Sequence, residues 1–436
     1  MSGSASDKSD LRASGHDSPI ATSLSSASGG SNFNSSSLLV AANACMFVFG
    51  AVLLLMGSLL PSLQVSYAQA GNLGAFPLAG ILVATVLVGP ILDLIGAKPV
   101  LAVALALISV SLALMPALDS YSALAASAFA YGLGGGLLNT AANALVADLS
   151  AAGRAAALNL LGFFFSLGAI SAPLALSSLS GNLSATMVLR SLAILCLLIF
   201  ALVLALRFPP AARAGTSLRK LLAVLRHPTI WLLAALLFFE SGNENCMFVW
   251  SGKIVADTLH VLPRQANMAL VALSAALAAG RLMAVLWLKW IGNRGAIWLS
   301  TTVVIAGSLV AMNATHLAGM IVGMLIIGLG LSAIFPTALG MASDRFPAET
   351  GTVFGAIMAV ALVGGTAGPK IAGWAASRSP GRVLLIPVLA AAAVAALTVA
   401  IGRRNGHRLR STSAQIARMP PSAGIVFRGK NSEVAD

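Results

Sequence analysis

The segment Gly89-Pro-Ile-Leu-Asp93-Leu-Ile-Gly96-Ala-Lys98 lies between two long apolar runs and determines how the rest of the chain is interpreted. Glycine adopts backbone conformations that other residues avoid, so Gly89 and Gly96 permit a tight turn. The segment also places the carboxylate of Asp93 near the ammonium group of Lys98 in the sequence. We therefore expect a short charged connection between two helices. Asp93 and Lys98 are expected to take part in one polar network, whose contacts break and reform when the parts of the protein move.

Apolar runs of spanning length recur on both sides of this segment. About 20 helical residues cross a hydrocarbon core of about 30 Å. The chain is 58% apolar and 9% charged, whereas a soluble domain carries about 25% charged residues. The sequence predicts an all-α membrane protein of about twelve transmembrane helices. The predicted spans are 38–61, 73–95, 98–117, 122–148, 155–179, 184–207, 228–252, 264–290, 296–312, 316–342, 350–376 and 382–401.

The net charge of +13 raises the alternative of nucleic-acid binding. The basic residues, however, are scattered singly between apolar runs or collected in a central loop and a tail, which is typical of cytoplasmic anchoring. We therefore expect a lipid bilayer as partner and no nucleic acid. Cys45, Cys196 and Cys246 lie inside apolar runs without metal-binding or disulfide spacing, and we interpret them as small apolar fillers.

The distribution of Lys and Arg among the connections predicts the orientation, because cytoplasmic loops are enriched in these residues. One side receives Lys98, Arg154, Arg207, Arg213, Arg219, Lys220, Arg226, Lys289, Arg294 and Arg345. The other side receives Arg190, Lys253, Arg264, Arg378 and Arg382, while the tail adds Arg403, Arg404, Arg408 and Arg410. This excess predicts a multi-pass protein of the plasma (inner) membrane with both termini in the cytoplasm.

The chain divides into five predicted regions. Residues 1–37 are rich in Ser, Gly and Ala and are predicted to be a disordered cytoplasmic tail. Residues 38–207 and 228–401 are the predicted N-terminal and C-terminal six-helix halves. Residues 208–227 form a basic cytoplasmic linker, either a short amphipathic helix on the inner leaflet or a solvated connection. Residues 402–436 form a basic cytoplasmic tail.

An internal repeat relates the two predicted halves at a single offset of 196 positions (for example, 344 − 148). The repeated residues are Gly96 and Gly292, Lys98 and Arg294, Gly132-Leu-Gly134 and Gly328-Leu-Gly330, Asp148 and Asp344, Gly168 and Gly364, and Pro173 and Pro369. Their equivalent places in the helix order indicate two six-helix halves related by a parallel repeat.

The segment 89–98 resembles the loop signature of the major facilitator superfamily, Gly-x-x-x-Asp-x-x-Gly-x-Arg/Lys, with Leu94 and Ala97 at two usually basic positions. Within that superfamily, four stretches resemble the fucose permease group of sugar transporters, and the resemblance covers residues 38–401. These stretches are 132–143, 238–250, 328–336 and 364–374. Asn139 stands where that group has an acid, and the first span lacks a carboxylate, which puts proton coupling by the group's own route in doubt.

The resemblance implies a secondary transporter that moves a small polar solute, such as a sugar, by alternating access, and that works as a monomer. Proton coupling is one open possibility. The alternatives are transport of a small organic anion bound by Lys370, efflux of drugs or metabolites, and a non-transporting membrane sensor on the same fold. The sequence contains no arrangement of serine, cysteine or histidine typical of catalysis and no nucleotide-binding loop, so we expect neither an enzyme nor a cofactor.

The seventh span carries the most polar patch of any span. Glu240 and Glu244 are one helical turn apart and share a face, with Asn243 and Asn245 beside them. Two carboxylates this close in a low dielectric do not both ionise easily. We interpret the pair as a proton-binding site; the alternative is that one glutamate pairs with a cation and pins two helices together.

The remaining candidates lie in the fourth, seventh, eighth and eleventh spans. Lys370 is expected to neutralise a glutamate of the seventh span, to bind an anionic substrate, or to extend towards the outer interface; Arg281 is a similar but weaker candidate. The amides of Asn139 and Asn143 share a face and suit sugar hydroxyls or interhelical hydrogen bonds. Trp250 is a candidate for stacking on a sugar ring, although core packing is the better interpretation.

Overall fold

The computed structural model describes residues 34–150, 154–177, 184–209, 226–346 and 350–416. Most of the predicted N-terminal tail, the amphipathic segment of the linker and the end of the C-terminal tail therefore lie outside the described residues. Within them the protein is built from helices. These are α1 (Ser35–Leu59), α2 (Tyr67–Ile95), α3 (Ala97–Leu114), α4 (Tyr121–Leu149), α5 (Arg154–Ser177), α6 (Ala185–Ala205), α7 (Pro228–Leu259), α8 (Pro263–Met312), α9 (Leu317–Leu331), α10 (Ile334–Arg345), α11 (Thr350–Ala376) and α12 (Leu385–Ile416).

Ten stretches of the described chain are long and apolar enough to cross a membrane. The long helices α4 and α7 are not among these ten, and they carry the predicted polar residues Asn139, Asn143, Glu240 and Glu244. The polar side chains that lower the hydropathy of α4 and α7 are therefore the same ones that the sequence singles out as functional.

Two predicted boundaries differ from the structure. The eighth and ninth spans are separate, as predicted, and the range given for α8 covers two helices that meet at the non-helical residue Gly292. The tenth span is interrupted between α9 and α10 at Ser332 and Ala333. The seventh span extends to Leu259, so Lys253, predicted to lie in a connection, is buried inside α7. The helix continues past Lys253 because Asp257, one turn later, pairs with the ammonium group at 3.2 Å.

The turn containing Gly96 has a conformational counterpart 196 residues later. Gly96 has φ 80° and ψ 174°, and Gly292 has φ 66° and ψ 171°; they are the only glycines with positive φ in the described chain. Each ends one helix and starts the next at a sharp angle, which requires a conformation that residues with a Cβ rarely adopt. The two predicted halves therefore share one backbone turn at the position of the sequence signature.

The basic residue that follows each of these glycines contacts the last helix of its own half. The ammonium group of Lys98 donates hydrogen bonds of 2.8 Å to the carbonyl oxygens of Leu204 and Leu206, where α6 ends. A Cβ built on Gly402 of α12 would lie 3.1 Å from the guanidinium of Arg294. A cation at a helix C-terminus satisfies free carbonyl groups and the helix dipole. In this conformation Lys98 therefore binds the end of α6, and its expected network with Asp93 stays a prediction.

Helix packing repeats with the same offset. A Cβ added to Gly132 of α4 would collide with the backbone of Pro77 in α2, and one added to Gly328 of α9 would collide with the backbone of Leu273 in α8. The partners are related by the same offset as the glycines (273 − 77 = 196). A second set consists of Gly134 against Ala104 and Gly330 against Ser300. The fold is thus two six-helix halves with matching internal contacts.

The Gly292 turn leads to a test that separates backbone strain from packing. Outside its own helix, no described atom lies within 4 Å of a Cβ built at Gly292 or at Gly340, but of these two glycines Gly292 alone has positive φ. We expect Gly292→Ala to destabilise the protein by about 1–2 kcal/mol, whereas Gly340→Ala, inside α10, stabilises it by up to about 1 kcal/mol. Thermal unfolding of the purified variants measures both changes. Equal effects of the two substitutions would contradict the assigned turn.

Candidate functional site

The two halves touch through glycines at the end of the bundle where α1 ends and α2 begins. A Cβ built on Gly71 of α2 would lie 3.0 Å from the Cα of Gly373 in α11. One built on Gly57 of α1 would collide with the carbonyl group of Phe248 in α7. We call the residues Gly57, Gly71, Gly74, Gly252 and Gly373 the glycine seam. Because these residues have no side chains, backbones of opposite halves approach to van der Waals contact and close this end.

A hydrogen bond and an apolar contact extend the glycine seam across the two halves. The amide of Asn267 in α8 donates a 2.9 Å hydrogen bond to the carbonyl oxygen of Ser58 in α1. The side chain of Val249 in α7 lies where a Cβ on Gly74 of α2 would be. These contacts join α1 and α2 of one half to α7 and α8 of the other.

An aromatic and charged cluster lies beside the glycine seam. Trp250 is fully buried and donates a 3.0 Å hydrogen bond from its indole Nε1 to the carbonyl oxygen of Pro369. Its ring centroid lies 6.3 Å from that of Tyr67, and Lys253 Nζ lies 5.5 Å from the Tyr67 ring centroid. These contacts give Trp250 a packing role between α7, α11 and α2, so stacking on a solute is not its role in this conformation.

The same helix faces that touch at the glycine seam separate towards the other end. Gly89 and Gly355 lie 18 residues from Gly71 and Gly373 respectively (89 − 71 and 373 − 355). Eighteen residues make five helical turns, so each glycine lies on the same face of its helix as its seam counterpart, ~27 Å away. Apart from its own helix, no described atom lies within 4 Å of a Cβ built on Gly89 or Gly355. The helix pair α2 and α11 thus forms a contact at one end and a gap at the other.

An ion pair lies on the faces that the two halves turn towards each other. Arg281 Nη2 of α8 donates a 3.0 Å hydrogen bond to Glu244 Oε1 of α7. Glu244 precedes Phe248 and Gly252 by one and two turns, on the α7 face that meets α1. Arg281 follows Asn267 by 14 residues, nearly four turns, on the α8 face that meets Ser58. The pair therefore lies on the helix faces that make the contacts between the halves, two turns from Gly252 along α7 and nearly four turns from Asn267 along α8.

Exposure differs sharply within this polar cluster. The side chain of Arg281 is 32% exposed and that of Glu244 is 11% exposed, while Glu240 and Asn243 are buried. Neither oxygen of Glu240 and neither side-chain polar atom of Asn243 has a hydrogen-bond partner in the described part of the chain. Buried polar groups are normally hydrogen-bonded, so the carboxyl group of Glu240 is a candidate functional group.

The predicted amide pair in the fourth span forms a local hydrogen-bonded unit. The side-chain amide of Asn143 donates to the Asn139 backbone oxygen at 2.8 Å and to its Oδ1 at 3.0 Å. Both residues are half-buried and continue the face of α4 that starts with Gly135, which packs against α1. The structure therefore places them on the inner side of their own half, without a hydrogen bond to the α7 cluster.

Lys370 lies on an exposed face of α11 and forms no ion pair with any described residue. The cation that pairs with a glutamate of α7 in the described structure is Arg281, and the three alternatives expected for Lys370 stay predictions. The sequence ranked Arg281 lower because an apolar helix does not reveal which face it turns inward. The 7-residue spacing of Asn267, Ser274 and Arg281 was the available signal, since it aligns three polar residues on one face of α8.

Solved structures share this architecture at low sequence identity. The nucleoside transporter NupG matches with a TM-score of 0.69 and 13% identity, over 85% of this chain and 98% of that chain. A D-xylose–proton symporter matches with a TM-score of 0.67 and 16% identity, over 82% of this chain and 96% of that chain. A third match is a bacterial homologue of the human lysosomal transporter Spinster, in an inward-facing and unoccupied conformation. Its TM-score is 0.67 and its identity 16%, over 90% of this chain and 100% of that chain.

Comparison at the level of sequence identifies the family. No curated protein sequence matches the chain. The sequence profile of the Major Facilitator Superfamily matches residues 38–369 and 242–430, which together include every described helix except the first residues of α1. Together with the two six-helix halves and their shared loop turn, this match shows that the chain belongs to the Major Facilitator Superfamily.

Proposed function

We propose that this protein is a secondary transporter that carries a small polar solute across the membrane by alternating access between its two halves. The observation that carries this proposal is the geometry of α2 and α11, whose facing surfaces touch at Gly71 and Gly373 and separate at Gly89 and Gly355. A path between the halves that is closed at one end and open at the other exposes a central site to one side only. Because one chain supplies both halves, a monomer is sufficient.

We assign the open end to the cytoplasm. The connections at that end carry Lys98, Arg294 and Arg345, and most of the basic loop residues. The buried position of Lys253 removes one basic residue from the loops of the opposite side, which strengthens the bias. On this assignment the conformation is inward-facing, both termini are cytoplasmic, and the protein belongs in the plasma (inner) membrane.

The solute is proposed to be sugar-like in size and polarity. Similarity of fold to a nucleoside transporter and a D-xylose–proton symporter supports this class. The polar side chains on the inner faces are few, as is usual in sites that fix a small ligand by a limited number of hydrogen bonds. They comprise Asn139 and Asn143 in one half and Asn243, Glu244 and Arg281 in the other.

We further propose that Glu240 carries a proton that is coupled to transport. Glu240 is fully buried, and both its oxygens lack a hydrogen-bond donor in the described structure. An ionised carboxylate in this position would be a buried charge without a direct partner, which costs several kcal/mol. Glu240 is therefore protonated in this conformation, and it releases the proton when the opposite conformation brings water or a cation to it.

Alternating access is tested by wedging the glycine seam open. We expect Gly57→Trp to separate α1 from α7, because its side chain has no space beside Phe248. The halves then close at the open end, so that cysteines introduced by Gly89→Cys and Gly355→Cys form a disulfide, which needs Cα atoms within about 7 Å. The background replaces the three native cysteines by alanine. Disulfide formation is measured by mobility after mild oxidation.

The control for this experiment is Gly162→Trp, which adds the same bulk where no atom lies within 4 Å. It is expected to leave the two cysteines reduced, as in the parent background. Gly74→Trp, which displaces only the Val249 side chain, replaces Gly57→Trp if the latter does not fold. Solute uptake into proteoliposomes is expected to fall at least about tenfold in the wedged variant. Cysteines that stay reduced in both wedged variants would contradict alternating access at this seam.

Proton coupling is tested with Glu240→Gln in proteoliposomes. The wild type is expected to accumulate its solute when a proton gradient is imposed, with labelled D-xylose, uridine and D-glucuronate as probes. The variant cannot release a proton at position 240, so it is expected to accumulate less solute under the gradient than the wild type and to keep exchange of solute at equal concentrations. Asp119→Asn makes the same change of charge at an exposed residue and is expected to behave as wild type. Accumulation by Glu240→Gln at the wild-type level would refute the assignment.

A further inference from the structure

We infer that Arg281 is the binding site for the carboxylate of a small organic anion and that Glu244 occupies this site when the substrate is absent. This inference rests on the proposed transport function and specifies its substrate class. The ion pair between Arg281 and Glu244 is then a competitor for the substrate as well as a link between α7 and α8.

The guanidinium of Arg281 has capacity for a ligand. It carries five N–H donors, and the one hydrogen bond that it makes to a described residue is that from Nη2 to Glu244 Oε1. Its side chain is 32% exposed although it lies in a membrane-spanning helix, on the face directed towards the other half. A planar guanidinium binds a carboxylate through two parallel hydrogen bonds, whereas Arg281 and Glu244 share a single one in the described structure.

The charges around this pair favour a monoanion. The groups that face Glu244 are Arg281 of α8 and Glu240 of its own helix. Elsewhere on helices packed against α7, Lys370 and Arg378 of α11 and Asp344 and Arg345 of α10 form no described ion pair with either glutamate. Among the described residues, Arg281 is therefore the one cation that pairs with this cluster. A dianion such as a phosphate monoester would leave one of its charges without a partner in a low-dielectric site.

Substrate binding by exchange couples the anion to a proton. When a substrate carboxylate binds the guanidinium of Arg281, Glu244 loses its ion-pair partner and remains beside Glu240 in a buried position. Beside the protonated Glu240, an ionised Glu244 would then be a buried charge without a partner, so Glu244 takes up a proton. The charge of the site is unchanged, because one anion and one proton enter together. The geometry thus assigns a symport of one organic anion with one proton to the pair Glu244 and Arg281.

Two neutral amides flank Glu244 in the sequence of α7. Asn243 is buried with both polar side-chain atoms unpaired, and Asn245 is half-buried with its amide held by the Ser241 oxygen atoms. Amide groups of this kind donate to and accept from hydroxyl groups. A small carboxylate that also carries hydroxyl groups, as sugar acids do, therefore fits the chemistry better than a plain fatty acid.

The test is binding to the full-length protein in detergent, measured by titration calorimetry and by the shift in thermal unfolding. Three carboxylates are compared with neutral counterparts of the same size: D-glucuronate with D-glucose, D-gluconate with D-sorbitol, and L-lactate with glycerol. At least one carboxylate is expected to bind the wild type when its neutral counterpart does not. Glu244→Gln removes the competing carboxylate and is expected to bind that anion about tenfold more tightly, with less dependence on pH than the wild type.

The charge of Arg281 is removed in two ways. Arg281→Gln is expected to lose anion binding, and Arg281→Gln combined with Glu244→Gln avoids a buried charge without a partner, so it keeps the test valid if the single variant does not fold. Lys370→Gln, which removes an exposed cation from α11, is the matched control and is expected to bind as wild type. Anion binding retained by the double variant, or lost in Lys370→Gln alone, overturns the inference.

The outcome is distinguishable from failure of the proposed function. If no carboxylate binds the wild type or Glu244→Gln, the anion site is refuted, and if a neutral sugar binds while its acid does not, the substrate class is refuted. Alternating access is tested independently, because cross-linking of the cysteines at positions 89 and 355 needs no ligand.

Discussion

Close contact between backbones at the glycine seam is the constraint on which the rest of this structure depends. Gly71 against Gly373 and Gly57 against Phe248 bring opposite halves together with no side chain between them. In lipid, where helix association gains little from apolar burial, close backbone packing is a principal source of attraction. The contact is also easily broken, because few polar bonds cross it; the hydrogen bond from Asn267 to Ser58 is one of them. A closed end that can reopen follows from this packing.

The polar chemistry lies where the seam ends. Glu244 lies on the same face of α7 as the seam residues Phe248 and Gly252, and Arg281 lies on the corresponding face of α8. Movement of the halves therefore changes the surroundings of both charges. Glu240 lies deeper within its own half and lacks a described partner. A rigid-body motion that opens one end and closes the other therefore alters solvent access to a carboxylate, an ion pair and the amides beside them. This links the packing of small residues to binding and proton transfer.

Much of the fold could be predicted from the sequence, because the long apolar runs and the internal repeat at an offset of 196 residues are compatible with few arrangements of helices. The turn at Gly96 and Gly292 was predictable because only glycine adopts its backbone conformation readily. Two features were not. Lys253 lies inside α7, where it pairs with its i, i+4 neighbour Asp257. The choice between Arg281 and Lys370 depends on helix rotation, which an apolar pattern does not encode when lipid and protein interior are equally apolar.

The most direct measurement of rigid-body exchange is pulsed electron–electron spin resonance on two spin-label pairs in lipid nanodiscs. One pair is placed at Gly89 and Gly355, at the open end, and the other at Gln64 and Arg264, exposed residues at the seam end. Varying pH and solute shifts the balance of conformations. The account predicts that the fraction of molecules in which the first distance shortens equals the fraction in which the second lengthens. A change in the first distance while the second stays fixed would contradict it.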